Sequence, residues 1–336
     1  MISLILTVLN EGDNIRQLLD SIAGQTRSAD EIVIVDGGSS DDTVDIARSY
    51  AERLPLRLLV AAGCNISQGR NLAIAEARGD IIAVTDAGVR LAADWLEAIT
   101  APLLADASLS VAAGFFRADP QTRFEIALGA TTLPLADEID AGSFLPSSRS
   151  IAFRKRAALG IDGYPEWLDY CEDLIFDLRL RLAGERFVFV PGALAYFRPR
   201  ANLRSYFRQY YLYARGDGKA DLWRARHSLR YATYLILAPG IGLAGWLAHP
   251  LLWLGWLLGG MVYLYRPYQR LPFLMRAVDN RSLRTWLLCI AWIPLLRLVG
   301  DVAKMLGYPR GWLWRLRHKP ANWKLPTLSQ SVGEGS

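Results

Sequence analysis

Acids and hydroxyls recur in this 336-residue chain at points where an apolar run gives way to a turn. The run Ile2 to Val8 carries Thr7 and leads at once to Asn10 and Glu11; "EIVIVDGGSSDDT" closes on Asp36; "GDIIAVTDAGVR" closes on Thr85 and Asp86. Further along, Glu172 and Asp173 begin an amphipathic segment whose apolar positions include Leu174, Ile175, Leu178 and Leu182. A positioned carboxylate takes a proton from a reacting hydroxyl, and one or two carboxylates with phosphate oxygens and water hold a hard cation such as Mg²⁺. Each acid taken singly has a plainer role as a turn, a cap or an acidic helix start. Three successive strand ends bearing such groups argue instead for one shared site.

The elements that must position these groups alternate. Ile2–Val8, Glu31–Val35, Leu56–Val60, Asp80–Val84 and Ser110–Ala113 read as strands, and segments near 14–23, 42–53, 68–77 and 94–104 read as helices between them. That alternation predicts a parallel sheet with helices on both faces, whose ligands bind at the carboxyl ends of the strands. Gly37 and Gly38 supply a tight turn with exposed N–H groups after Asp36, and Ser40 or Asp41 caps the helix that follows.

The net charge of +5 hides an asymmetry. Up to Tyr196 there are 17 basic residues against 28 acidic, net −11; from Phe197 onward there are 21 against 5, net +16. Between Arg230 and Arg266 lie 35 residues without a single Asp, Glu, Lys or Arg. One helix of that length would measure roughly 52 Å against a hydrocarbon core of roughly 30 Å, so the expectation is a hairpin of two short spans turning at Ala248, His249 and Pro250. Arg224, Arg226 and Arg230 before it, and Arg266, Arg270, Arg276, Arg281 and Arg284 after it, place both ends in the cytoplasm. Thr285 to Leu296, short for a span and basic beyond Arg297, is read as a helix lying in the membrane interface or re-entering it, with Trp286, Trp292, Trp312 and Trp314 at headgroup depth. Met1 to Leu9 lacks the basic start of a signal peptide, and Cys64, Cys171 and Cys289 are isolated packing residues suited to a reducing compartment. His227, His249 and His318 are too scattered for a zinc set. The basic tail adjoins the apolar hairpin, so anionic membrane lipid explains it more directly than nucleic acid.

Four stretches, "TVLNEGDNIRQLLDSIAGQT", "EIVIVDGGSSDDTVDIA", "GRNLAIAEARGDIIAVTDAG" and "YCEDLIFDLRLRLAGERF", resemble the successive motifs of the family 2 glycosyltransferases, from about Ile2 to Pro199. The resemblance implies a GT-A-like, mostly parallel α/β sheet with helices on both faces, followed by the membrane hairpin and the interfacial helix. It also implies an enzyme of hexosyltransferase type that uses a nucleotide-sugar donor. Thr7, Asp36 and Arg70 fall on donor-binding positions, Asn10 and Glu11 join them as nucleotide-sugar candidates from their place at the end of the first strand, and Asp86 falls on the first acid of the family's DxD motif, which reaches the ribose and a divalent metal, Mg²⁺ or Mn²⁺. Here the chain departs from the pattern: Asp86-Ala87-Gly88 lacks the second acid. By the same resemblance Asp173 is the general base of an inverting displacement and Glu172 steers the acceptor.

Cations for the departing diphosphate are expected from Arg215 and Lys219, which with Gly216 and Gly218 read as a flexible basic loop. Trp167 and Tyr170 are aromatics that stack on a sugar ring or fill the core, and Asp177 with Arg181 reads as an ion pair four residues apart. The expected organisation is a catalytic domain over 1–200, a basic juxtamembrane segment over 201–229, the hairpin over 230–268, basic interfacial helices over 269–325 and a flexible tail over 326–336. The expected setting is the inner membrane with the catalytic domain in the cytoplasm. The acceptor is a hydroxyl of a lipid-linked saccharide in bacterial surface polysaccharide synthesis, with other polysaccharide-assembly proteins as partners. A polyprenyl-phosphate acceptor, or a silent nucleotide-sugar-binding subunit of an export complex, stays open.

Overall fold

The computed structural model describes residues 1–276 and 282–324; Arg281 and the tail expected over 326–336 lie outside the described residues. The described residues divide into two compact units, one made of 1–117, 136–197 and 320–324, the other of 118–135, 198–276 and 282–319.

The first unit is the α/β part. In chain order it holds β1 (Ile2–Val8), α1 (Gly12–Ala23), β2 (Glu31–Asp36), α2 (Thr43–Ser49), β3 (Leu56–Val60), α3 (Ile66–Glu76), β4 (Ile81–Val84), β5 (Val89–Leu91), α4 (Trp95–Ala105) and β6 (Val111–Ala118). Helix α5 (Arg123–Thr132) interrupts it and belongs to the second unit; β7 (Ile151–Arg154), α6 (Lys155–Leu159), α7 (Glu172–Leu182) and β8 (Phe187–Phe197) complete it. The sheet has eight strands in the order β3-β2-β1-β4-β7-β6-β8-β5. β1 runs parallel to β2 and β4, and β2 parallel to β3; from β4 onward the pairing with β7, and of β7 with β6, is antiparallel.

Side chains alternate across this sheet as the strand period of two requires. Leu4, Leu6, Ile32 and Ile34 pack with Leu18, Ile46 and Trp95 on one face, and Ile5, Val33, Val35 and Val84 pack with Ile74, Phe176 and Leu180 on the other. Both faces are therefore covered by helices, and the open places are the strand ends.

The second unit joins α5 to α8 (Leu203–Ala220), α9 (Arg224–Ala232), α10 (Ala238–Leu247), α11 (Leu254–Arg276) and α12 (Leu283–His318). Residues 118–135, expected inside an uninterrupted block 1–200, cluster here because Ile126 and Leu128 of α5 pack with Leu271, Leu274, Ile293 and Leu296. A π-helical turn, Thr233–Leu237, carries α9 into α10, and the chain turns at Ala248 to Pro250, where the hairpin was expected to turn. Two expectations are corrected. The segment read as ending at Leu296 continues through Arg297, whose guanidinium lies 4.2 Å from the Tyr263 ring, so α12 is one helix of 36 residues. Among the described residues it is the one helix long and apolar enough to cross a membrane. The basic loop read at Arg215 to Lys219 is helical throughout, inside α8.

The physical reason is close backbone packing of α8 on α12. A Cβ on Gly311 would stand 2.0 Å from the Arg215 carbonyl oxygen, one on Gly307 2.1 Å from that of Tyr211, and one on Gly218 2.3 Å from that of Tyr308. Small residues let two helices approach this far, and the contact offsets the poor helix propensity of glycine. Gly311→Ala is expected to destabilise the second unit by about 1–3 kcal/mol. Gly259→Ala on α11, where a Cβ meets nothing within 4 Å, should leave it unchanged or more stable. Thermal unfolding of the detergent-solubilised chain, followed by tryptophan fluorescence, separates the two signs.

Candidate active site

The strand ends β1, β2 and β4 converge on helix α3 and the start of α7. Asn65 caps α3 by accepting from the Gln68 N–H while Gln68 accepts from the Asn65 N–H, a reciprocal box that fixes the first turn and so the place of Arg70. Gly69 lets α3 sit on the end of β1: a Cβ there would lie 2.8 Å from Thr7 Cγ2. Arg70 is 2% exposed. Its Nη2 donates to Asp86 Oδ1 and its Nη1 to Glu172 Oε1, both at 2.8 Å, and its guanidinium lies 5.1 Å from the Tyr164 ring, itself stacked on Phe176. One buried cation thus joins the end of β4 to the start of α7.

Burial works against the charge on Arg70, but Asp86 and then Glu172 outweigh it and its pKa is raised, so it stays protonated. Glu172 is pushed up to about 7, chiefly by burial and then by the charge of Asp173, against the pull of Arg70. Asp173 is half-buried in the first turn of α7, where its Oδ1 accepts from the Leu174 N–H.

The remaining residues marked out in the sequence divide into two groups. Asp36 is fully buried and turned into its own loop: Oδ2 accepts from the N–H groups of Gly38 and Ser39, and Oδ1 from the Ser39 hydroxyl. It stands two strands from Asp86, about 10 Å across the sheet. Asn10 and Glu11 knit the end of β1 to the same loop, through the Asn10 N–H to Ser39, Ser40 to Asn10 Oδ1 and the Glu11 N–H to Thr43. Arg215 and Lys219 belong to the second unit, where the Lys219 ammonium lies 4.6 Å from the Trp314 ring and its carbonyl accepts from Arg315.

Sequence reasoning passed over Arg149 and Tyr164. Arg149 Nε lies 3.8 Å from Asp86 Oδ2, and its guanidinium lies 4.9 Å from the Phe197 ring and 5.7 Å from that of Phe116. A single arginine in "SSRSIAF" carries no periodic signal, and only the pairing of β4 with β7 brings it to Asp86. The expected Asp177–Arg181 ion pair is absent: Arg181 donates to the carbonyls of Gly142 and Phe144, and among the described residues nothing hydrogen-bonds the buried Asp177 Oδ2.

The residues present do not fit a resident divalent ion. Gly88 stands where a second acid would complete the set, and both oxygens of Asp86 face a guanidinium. Among the described residues no group of three or more His, Cys, Asp or Glu is placed to hold a metal. A cation at Asp86 would have to displace one arginine and lie against the other.

Asp177 makes the unit's stability depend on pH. Burial first, and the charge of Asp173 second, raise its carboxyl well above the ordinary 3.8. A raised carboxyl stabilises the fold below its unfolded value and loses that contribution as pH rises through the folded one. Glu172 has the same sign between 4.5 and about 7. The melting temperature should therefore fall on going from pH 5 to pH 8. Asp177→Asn should raise it by about 2–4 °C at pH 8 and gain little at pH 4, as scanning calorimetry at the two pH values would record.

The sheet, which sets Asp86 at the end of β4 and Glu172 at the start of α7 on one buried arginine, has the GT-A fold. Residues 3–156, a little under half of the chain, match the family model described as Glycosyl transferase family 2. The glycosyltransferase YibD of Escherichia coli (strain K12) is 41% identical over 87 residues, 26% of this chain and only 25% of that protein's length. The succinoglycan biosynthesis protein ExoA of Rhizobium meliloti (strain 1021) is 29% identical over 250 residues, 70% of this chain and 75% of that one. The fold is shared with the mannosyltransferase PcManGT from Pyrobaculum calidifontis in complex with GDP-Man and Mn²⁺, at a TM-score of 0.54 and 19% identity, covering 95% of this chain and 88% of that one.

Proposed function

We propose that this chain is an inverting glycosyltransferase that moves a sugar from a nucleoside-diphosphate sugar to a hydroxyl of a lipid-linked saccharide during bacterial polysaccharide synthesis. The observation that carries the reading is the Arg70 bridge, which holds Asp86 and Glu172 on one guanidinium with Asp173 as the next residue. In the reaction the acceptor O–H gives its proton to the Asp173 carboxylate, the oxygen attacks the anomeric carbon from the far side, and the bond from that carbon to the diphosphate oxygen breaks. The nucleoside diphosphate leaves with the electron pair. Asp36 and its loop take the nucleoside, Asp86 orients the donor, and Glu172, fixed by Arg70, steers the acceptor beside Asp173. ExoA's role in succinoglycan biosynthesis and the GDP-Man bound by PcManGT support the polysaccharide and nucleotide-sugar parts of the reading. The Mn²⁺ of that complex supports an ion arriving with the donor, but no step here is routed through one.

We assign the second unit to the inner membrane and the catalytic part to the cytoplasm, with the boundary between catalytic and membrane parts near residue 200. Support comes from α12 and from exposed apolar side chains such as Ile236, Trp246, Leu251 and Val262. A screen of UDP- and GDP-sugars against lipid-linked saccharides and bare polyprenyl phosphate, with the protein in nanodiscs and products read by mass spectrometry, tests the proposal. Transfer to the saccharide is the expected result, and transfer only to polyprenyl phosphate would replace it with the phosphate-acceptor reaction. Donor binding without turnover would favour a silent subunit.

A further inference from the structure

Within the second unit, Arg297, Asp301 and Lys304 share one face of α12, spaced four and three residues apart. Charge on a helix that enters a membrane is costly and marks a partner or a function. Asp301 has its partners. Arg230 of α9 donates through Nε to its Oδ1 at 2.8 Å, and the Tyr263 and Tyr234 hydroxyls donate to its Oδ2 at 2.5 and 3.1 Å. The two cations beside it are held more loosely. Lys304 Nζ stands 3.8 Å from Asp301 Oδ1, beyond hydrogen-bond length, and 5.0 Å from the Tyr210 ring. The Arg297 guanidinium lies 4.2 Å from the Tyr263 ring, and its Nε is buried with no hydrogen-bond partner among the described residues. One further acid, Asp217, acts on Lys304, and its carboxylate also meets His227 at 3.2 Å. Arg230, Arg297 and Lys304 thus outnumber the acids around them, and a buried, unmet N–H on a cation is a place for an anion.

An apolar groove begins next to this cluster. It is an open space of about 680 Å³ along α10 and the start of α11, lined by Leu237, Ile241, Ala244, Leu251, Gly255 and Leu258, and its size is that of a small-molecule site. Tyr234 and Tyr263, whose hydroxyls meet at 2.9 Å beside Asp301, stand three residues before Leu237 and five after Leu258. The segments that carry the two tyrosines therefore also wall the groove, which follows them from Tyr234 for about ten residues, roughly 15 Å, toward the turn at Ala248 to Pro250. A cationic head site leading into one apolar channel fits an amphiphile with a phosphate and a single long chain, whereas a phospholipid brings two chains. We propose that this place binds the polyprenyl carrier of the acceptor, with its phosphate on Arg297 and Lys304 and the first part of its chain in the groove. The inference rests on the lipid-linked-acceptor reading above.

The test is titration of the full-length protein in detergent with undecaprenyl phosphate and, separately, with undecaprenol and with phosphatidylglycerol, read by tryptophan fluorescence. The wild type should bind undecaprenyl phosphate about tenfold or more tighter than either of the others. Arg297→Gln and Lys304→Gln should each weaken that binding by about five- to tenfold and leave undecaprenol unchanged, with Arg297→Lys between them and the wild type. Gly240 lines the groove at a position where an added Cβ meets nothing within 4 Å. Gly240→Phe should fill the channel and weaken undecaprenyl phosphate and undecaprenol alike, and it serves if Arg297→Gln fails to fold. Phosphatidylglycerol bound as tightly as undecaprenyl phosphate overturns the inference in favour of a general anionic-lipid site. Sugar transfer to a lipid-linked saccharide by a protein whose affinity for undecaprenyl phosphate ignores all of these substitutions also overturns it, and leaves the acceptor reading standing. A wild type that neither binds undecaprenyl phosphate nor transfers to any lipid-linked saccharide removes both.

Discussion

Asp173→Asn should lower sugar transfer by about two to four orders of magnitude while leaving nucleotide affinity within about twofold of wild type. The asparagine keeps the size and the contact with the Leu174 N–H, so α7 starts as before. On the proposed mechanism, what it removes is the capacity to accept a proton from the acceptor hydroxyl as the new bond forms. Glu172→Gln, altered at the residue whose carboxylate bonds Arg70, should act more mildly on turnover and chiefly raise the acceptor KM. The comparison also reports on the acceptor. A phosphate is already an anion and needs no base, so an Asn variant that retains activity would remove Asp173 from the role and favour polyprenyl phosphate.

The second large effect is on folding. Arg70→Met should cost about 3–5 kcal/mol, because it leaves Glu172 and Asp86 without the charge that compensates them. The length of methionine fills most of the space, so the loss reports charge more than volume. Combining it with Glu172→Gln and Asp86→Asn should recover a good part of the stability, since two neutral amides do not need a cation between them. Urea unfolding of the single and triple variants measures the difference. A triple variant no more stable than Arg70→Met would mean that packing against Tyr164, and not the bridge, is what Arg70 contributes.

Much of the α/β part was legible because β1, β2 and β4 are buried on both faces and read as short apolar runs. The strand expected over Glu31–Val35 gains only Asp36, and those over Ile2–Val8 and Leu56–Val60 are found as expected. The strands that were missed have physical reasons for it. β5 is three residues long, and β8 carries Pro191 and Gly192 at its middle, residues that read as a break. The acids could be singled out because strand ends are where such sheets place ligands. Arg149 could not, since its meeting with Asp86 depends on an antiparallel pairing between segments more than sixty residues apart. In the second half, Gly216 and Gly218 suggested a loop from local propensity, and contact between helices reversed it.

The place of α5 between β6 and β7 has a consequence in time. Synthesis proceeds at about 5–20 residues per second, so α5 leaves the ribosome roughly 10–40 s before the last turn of α12 is made. Through that interval Ile126 and Leu128 have no Ile293 or Leu296 to meet. A chain ended at Phe197 would keep α5 and lack those partners permanently, so it should aggregate or need detergent, whereas a chain that includes α12 buries the helix once α12 is made.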